Sequence, residues 1–520
     1  MDNHTQSYWE KTVGRTAYPA LEIDAKADVL IVGGGITGVS CAYHLARAGA
    51  SVLLAEADTL GCGTTGKSTG KVSALHDVFY GRLSKLPGKA TAAQVARTQR
   101  EAVDFVKQFA LSSELDCGFA ESDAYLFARS EEERQATEDE FEAVRKAGLD
   151  ARFLFRPDFP PQAICAAVMF GQVVIHPLRY LQALADAAVK QGAQICEQTR
   201  ITDIVSGKTV CAVCENGMRV SAHHLILATQ YPLWEQFDTY FTRLYPRRSY
   251  GVAVEPENSW PAGSYITAGN PVRSIRTVIE DGKKILLVMG EGHTTGRDEH
   301  DRDSGQHFEA LTDYAQKLAG PASLLARWSA QDYQSPDGIP YIGPVAPQSN
   351  IYVATGFSKW GLSSGTLAGI LLTDWITTGK SARGAPYDPA RLHLAGTATL
   401  AGELSRQVGA LVRSKLKKPG RAEDLKPGEG GEVLFEGKKA GAYRHPDGRL
   451  TVLDITCTHL GCTLTWNEAE KSWDCPCHGG RFTAEGERLE GPPPKGLHVF
   501  LRRQDGLPEQ ANTPDTRPHG

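Results

Sequence analysis

Four cysteines and two histidines crowd into one short stretch: Cys457-Thr-His459-Leu-Gly-Cys462, then, after twelve residues, Cys475-Pro-Cys477-His478-Gly-Gly. Each loop offers thiolate and imidazole donors, the ligands of zinc and of iron–sulfur centres. A Cys2His2 zinc site draws on the same inventory, but it groups two cysteines in one pair and two histidines in the other. Mixed pairs on both loops suit a two-iron cluster in which one iron takes both thiolates and the other both imidazoles. The other seven of the eleven cysteines lie between Cys41 and Cys214 and read as reduced, buried thiols. Cys211 and Cys214 form a CxxC inside TVCAVCENGMRVSA, two strands joined by a Glu-Asn-Gly turn. Strand positions three apart face opposite ways, so those two sulfurs should not meet.

A second chemical signature sits near the other end. Gly33, Gly35 and Gly38 make G-x-G-x-x-G between an apolar run, DVLIVG, and a helical one, VSCAYHLARAG. Such glycines let backbone N–H groups approach a pyrophosphate at the positive end of a helix, with Ile36 and Thr37 in its first turn. A second strand, SVLLAE, ends on Glu56, 21 residues after Gly35, where an acid accepts hydrogen bonds from a ribose. The spacing therefore predicts a dinucleotide site. The Gly/Ser/Thr-rich loop that follows, ADTLGCGTTGKSTGKVSALH, can wrap an extended ligand with hydroxyl and backbone donors.

The elements that position these residues form an alternating α/β chain. Residues 83–147 read as helical with a solvated charged face, SEEERQATEDEFEAVRKAG. Residues 245–290 are strand-rich, and NIYVATGFSKWGLSSGTLAGILLTDWI is a final strand–turn–helix. His176 reads as a residue that caps or packs at a helix start. His293, His300 and His307 fall in EGHTTGRDEHDRDSGQH, which reads as a solvated loop. A polar helix and a Gly/Pro-punctuated linker occupy 396–430, short β-type runs occupy 431–505, and 506–520 reads as a disordered tail.

The first 395 residues resemble the glycine oxidase/D-amino-acid oxidase (DAO) family of FAD-dependent oxidoreductases, most clearly from about 25 to 380. The resemblance implies an α/β FAD-binding domain (Rossmann-like, glutathione-reductase-type) in pieces at about 25–80, 165–230 and 325–385. An interleaved α+β substrate domain would take about 81–164 and 231–324. It implies that Thr64, Thr65 and Ser68 run along the FAD, that Ile201 meets the adenine, and that Ala228 and Thr229 lie on the ribityl side. Gly356, Trp360, Gly361 and Leu362 would lie under the isoalloxazine ring. Trp360 taken alone reads as a core aromatic. Lys67 stands near the place where some relatives tether FAD through a histidine, so the expected FAD is noncovalent. Arg248 and Tyr250 open a strand of the implied substrate domain; a substrate-pocket role competes there with surface or packing roles.

Residues from about 430 to 503 resemble the Rieske family, a small all-β domain. The resemblance implies a [2Fe–2S] cluster held by Cys457, His459, Cys475 and His478, a Cys462–Cys477 disulfide between the two cluster loops, and a covering proline-rich loop in GPPPKGL. Where high-potential members carry Ser and Tyr, this chain has Gly480 and Phe482, which offer no hydroxyl to a cluster sulfur.

The expected protein is an FAD-dependent oxidoreductase that oxidises a small amine or amino acid and passes electrons through the Rieske centre to an external acceptor. The rivals are a reductase delivering electrons to a partner, which would need a second dinucleotide fingerprint, and a redox-sensing or electron-transfer module. With 41% hydrophobic and 22% charged residues, the chain has globular composition, and a net charge of −5 offers no field for nucleic acid. The N-terminus lacks a signal-peptide pattern and no apolar run spans a bilayer, so the expectation is a cytoplasmic protein.

Overall fold

The computed structural model describes residues 6–85, 89–158, 160–232, 240–257, 261–297, 304–391 and 419–503. They form two compact units: 6–292 with 307–391, and 419–503 with 293–297 and 304–306.

The first unit is built on two sheets. In the eight-stranded sheet the glycine-rich turn sits at the end of strand Ala25–Val32, which runs parallel to Arg219–Leu227 on one side and Val52–Ala55 on the other. Gln194–Cys196 and Ile351–Thr355 extend the parallel array outward. Val29, Leu30 and Ile31 are fully buried, as expected of a strand covered on both faces. The helices Ile36–Arg47 and Gly361–Thr378 pack against each other through glycine. A Cβ on Gly365 would sit 2.7 Å from the Thr37 hydroxyl, and one on Gly369 would sit 2.8 Å from the Ser40 carbonyl carbon. The second sheet has nine strands, among them Lys71–Val72, Arg273–Glu280 and Ala322–Gln334.

One sequence expectation fails here. Residues 83–147 are not helical throughout: Lys89–Ser112 and Glu131–Lys146 are helices, but Ala120–Ala128 between them is a strand of the second sheet. It pairs with Cys165–Val174 and Ser264–Thr267, partners distant in sequence. His176 does cap, its Nδ1 accepting from the Arg179 amide at 3.3 Å. Cys211 is half-buried and Cys214 buried within Val210–Cys214, as opposite faces require.

In the second unit, two four-stranded antiparallel sheets carry the cysteine–histidine loops. The expected helix over 396–430 lies outside the described residues up to 418, as does the tail. From 419 the chain makes a short 3-10 turn, Ala422–Asp424, and enters strand Gly430–Phe435. Among the described residues, no helix is long and apolar enough to cross a membrane.

Candidate functional site

The glycine-rich turn has the form its chemistry needs. Gly33 adopts φ +110°, where a Cβ would lie 2.6 Å from the Ala228 carbonyl oxygen and 3.2 Å from the Thr229 nitrogen. A Cβ on Gly38 would overlap the Gly33 carbonyl oxygen. Helix Ile36–Arg47 starts at Gly35 with no acid in its first turn, and the Thr65 hydroxyl accepts from the Ile36 amide at 3.1 Å. The Glu56 carboxylate accepts from the amides of Gly34 (2.6 Å) and Asp58 (2.8 Å), while burial raises its pKa. The Glu56 carbonyl receives the Thr199 amide, which holds the start of strand Ile201–Val205 beside this corner.

The wrapping loop is tied across the unit. Thr64 Oγ1 donates to the Gln331 carbonyl and accepts from Gln230 Nε2, both at 2.7 Å. The Ser68 carbonyl receives Trp9 Nε1 at 2.7 Å. Gly356 turns with φ +74°, and Trp360 is the N-cap of Gly361–Thr378, again with no acid in the first turn; Leu362 is buried. Because the two helices are packed through Gly365 and Gly369, their two positive ends open side by side. This cradle of amides, bare helix ends and an acid fits a dinucleotide whose pyrophosphate and ring edge both carry negative charge.

Sequence reading missed four residues around Trp360. The His76 ring stacks on Trp360 at 4.4 Å, and its buried Nε2 has no partner. Burial pulls the His76 pKa down to about 3, so the ring is neutral. Lys71 Nζ lies 5.9 Å from the centroid of the same Trp360 ring. Asp332 accepts from the amides of Tyr333 (2.8 Å) and Lys359, and burial raises its pKa to about 6. Burial lowers the pKa of Lys359. Arg248 Nη2 donates to the Ser329 hydroxyl, and Tyr250 stacks on His307 at 4.5 Å, deep in the sheet. The solvated-loop expectation for the three histidines is corrected in part. Strand Lys283–Thr294 carries His293, and buried His307 lies on helix Ser304–Ala319, 3.3 Å from the Glu291 carboxylate. His300 lies outside the described residues.

In the second unit the four expected ligands converge. Cys457 and Cys475 lie side by side, and the His459 and His478 rings stand perpendicular with centroids 5.0 Å apart. The amides of His459 and Leu460 point at the Cys457 sulfur, and those of Cys477 and His478 at the Cys475 sulfur. Such donors stabilise thiolates and cluster sulfurs alike. Cys462 and Cys477 are joined as a disulfide. The proline loop lies against both cluster loops: a Cβ on Gly480 would sit 2.6 Å from Pro493 Cγ, and the Thr458 hydroxyl donates to the Lys495 carbonyl at 2.7 Å. Two sulfurs and two imidazoles at this spacing fit a [2Fe–2S] cluster better than zinc, since each loop contributes one of each kind.

The two sites define a flavin-type redox enzyme carrying an iron–sulfur module. Comparison with known proteins makes this specific. The family model "FAD dependent oxidoreductase" (DAO) matches residues 28–375, and "Rieske [2Fe-2S] domain" matches 416–501. The chain belongs to the DAO family of FAD-dependent oxidoreductases and carries a C-terminal Rieske domain. It is 36% identical over 495 residues to the putative Rieske 2Fe-2S iron-sulfur protein YhfW of Bacillus subtilis, covering 95% of this chain and 97% of that one. It is 24% identical over 387 residues to gamma-glutamylputrescine oxidoreductase of Escherichia coli, covering 72% and 90%. The solved glycine oxidase of Geobacillus kaustophilus superposes with a TM-score of 0.60 at 21% identity, over 71% of this chain and 99% of that one. The protein is an enzyme whose cofactors are FAD and a [2Fe–2S] cluster.

Proposed function

We propose that the protein is dehydrogenase-like, oxidising a small amine or amino acid and passing the electrons through its Rieske cluster to an external acceptor. The observation that carries this reading is the union of a DAO unit and a Rieske domain on one chain. A one-electron relay has no use in an enzyme that hands its electrons directly to dioxygen. The names of the relatives, gamma-glutamylputrescine oxidoreductase and glycine oxidase, support the substrate class.

Bound FAD supplies hydride chemistry and the cluster supplies one-electron transfer. The chain's own groups bind and orient them. The Gly33–Gly38 turn and the bare first turn of helix Ile36–Arg47, with Gly35, Ile36, Thr37 and Gly38, would cradle the pyrophosphate, and Glu56 would accept from the ribose. Ile201 would lie on the adenine side, and Ala228 and Thr229 on the ribityl side. Thr64, Thr65 and Ser68 flank the ligand, while Gly356, Trp360, Gly361 and Leu362 back the ring. Cys457, Cys475, His459 and His478 would hold the cluster, and the Cys462–Cys477 disulfide ties the loops. The test is an anaerobic screen of amines and amino acids for bleaching of the flavin absorbance, with the Rieske EPR signal followed in parallel. Bleaching by such a substrate, followed by growth of the reduced-cluster signal, is expected. Bleaching by NADH and by no amine or amino acid overturns the reading.

The cluster's potential should lie in the lower half of the Rieske range of roughly −150 to +300 mV, because Gly480 and buried Phe482 bring no hydroxyl to it. Phe482→Tyr adds a donor. A hydrogen bond stronger by about 1 kcal/mol to the reduced form should raise the midpoint by on the order of 50 mV. Redox titration followed by EPR reads the shift, and an unchanged midpoint removes this explanation.

A further inference from the structure

Strand Ala151–Phe155 is an edge of the nine-stranded sheet. It pairs with Cys165–Val174, whose other side is taken by Ala120–Ala128, and among the described residues no strand lies on its outer side. The Arg156 amide donates to the Ile164 carbonyl at 2.9 Å, so the even-numbered residues direct their backbone groups to the inner neighbour. Those groups alternate along a strand, which turns the amides and carbonyls of Ala151, Phe153 and Phe155 outward. The edge is also apolar. The Phe153 ring meets Phe141 of helix Glu131–Lys146 at 5.5 Å and Phe155 at 5.0 Å, and Phe155 is 67% exposed. Such edges template pairing with another chain unless lysine, proline or a bulge blunts them. Here the Arg152 guanidinium is drawn back over the Phe170 ring of the inner strand, at 5.0 Å, and proline comes only at 157, past the strand's end.

The segment is complementary to itself in charge. Asp150 and Arg156 flank the strand, both exposed, and among the described residues neither meets an opposite charge. The outward groups allow an antiparallel second copy to dock with Arg152, Phe153 or Leu154 on the two-fold axis. Centred on Phe153, that residue faces its own copy and Ala151 faces Phe155, so each outward amide finds a carbonyl. On the opposite face Asp150 then lies across from Arg156 on both sides of the axis, and each exposed Phe155 ring stands across from a methyl group. Centring on Arg152 sets Arg152 against itself. Centring on Leu154 sets Arg152 against Arg156, Asp150 against Asp158, and Ala151 against Pro157, which has no amide to give. Opposite charges directly across a strand pair stabilise it and like charges destabilise it, so the register on Phe153 wins. We propose that the protein is a homodimer in which two Ala151–Phe155 strands join antiparallel about Phe153 and make one continuous sheet. The contact is isologous and closes on itself, so no third copy adds.

The test is sedimentation velocity of the full-length FAD-loaded protein over a micromolar dilution series. The parent should sediment as a dimer that dissociates on dilution. Asp150→Arg sets Arg against Arg156 of the second copy and should raise the dissociation constant about tenfold or more. Adding Arg156→Asp restores both pairs with their signs exchanged and should bring the constant back to within about threefold of the parent's. Aspartate suits that position, where φ is +44°. Phe155→Pro probes the backbone instead: it removes an outward amide and leaves the ladder to Cys165–Val174 in place, so the dimer should be lost while far-UV circular dichroism and flavin per chain stay at the parent's values. Should Phe155→Pro fail to fold, the charge exchange, made on exposed residues, decides alone. A parent that is monomeric throughout the series overturns the proposal, as does a dimer indifferent to Phe155→Pro. Weakening by Asp150→Arg without recovery in the double exchange overturns this register, and assembly that grows past the dimer with concentration overturns the closed contact.

Discussion

Gly38→Ala should yield protein with at least tenfold less bound FAD than the parent. The added Cβ would overlap the Gly33 carbonyl oxygen and lie 3.3 Å from Ile31 Cγ2, so neither neighbour is the movable tip of a long side chain. Relief requires helix Ile36–Arg47 to shift off the end of strand Ala25–Val32. That shift carries away the amides on which a pyrophosphate depends. Gly49→Ala is the matched control. Unlike helical Gly38, Gly49 has positive φ, +89°, and a Cβ there meets nothing within 4 Å. Its cost is backbone strain alone, about 1 kcal/mol, and the protein should keep its flavin. The flavin absorbance released by denaturation, per mole of chain, decides between them. Full FAD content in Gly38→Ala would mean that the close approach does not position the cofactor.

Both cofactor signatures were readable because each is local. Six positions around Gly35 carry the turn, and 22 residues from Cys457 to His478 carry both cluster loops. What was not readable depends on contacts made across the chain. Strand Ala120–Ala128 opens with the polar AESD and sits between two helices, so its period-2 signal is short. Its identity comes from Cys165–Val174 and Ser264–Thr267, which no local window contains. Lys71 and Arg276 each look solvent-facing in sequence, since an isolated cation in an alternating strand normally points outward. Only the folding of the nine-stranded sheet over the Gly63–Gly70 loop buries them. Glu140 tells the same story. It lies in the charged run read as a solvated face, yet it is fully buried and accepts the amides of Tyr80 (2.9 Å) and Gly81 (2.6 Å).

Arg481→Met should unfold the Rieske module or leave it only marginally stable, through charge rather than volume. Arg481 stands opposite Asp474 at the base of the second cluster loop, where the Cys475 amide donates to the Gly480 carbonyl at 2.7 Å. Its Nε donates to Asp474 at 2.8 Å, Nη2 to Glu470 and to the Ser472 hydroxyl at 2.9 Å, and Nη1 to Glu490 at 3.3 Å. One guanidinium thus holds three carboxylates, with Arg481 only 5% and Asp474 only 4% exposed. Methionine fills a similar volume but leaves the three acids facing one another out of water. Breaking a buried pair on one side costs about 3–5 kcal/mol, a large share of a domain's typical 5–15 kcal/mol. Cluster content and Tm should fall together. The variant should also show the opposite pH response to an ordinary ion-paired site. Without the guanidinium, protonation neutralises the stranded carboxylates, so the deficit shrinks as pH falls and grows as pH rises. Triple replacement of Arg481, Asp474 and Glu470 by apolar residues should recover part of the lost Tm, because it removes two of the three stranded charges as well as their partner. If Arg481→Met keeps the parent Tm and the same pH profile, the network does not hold the loop that carries Cys475 and His478.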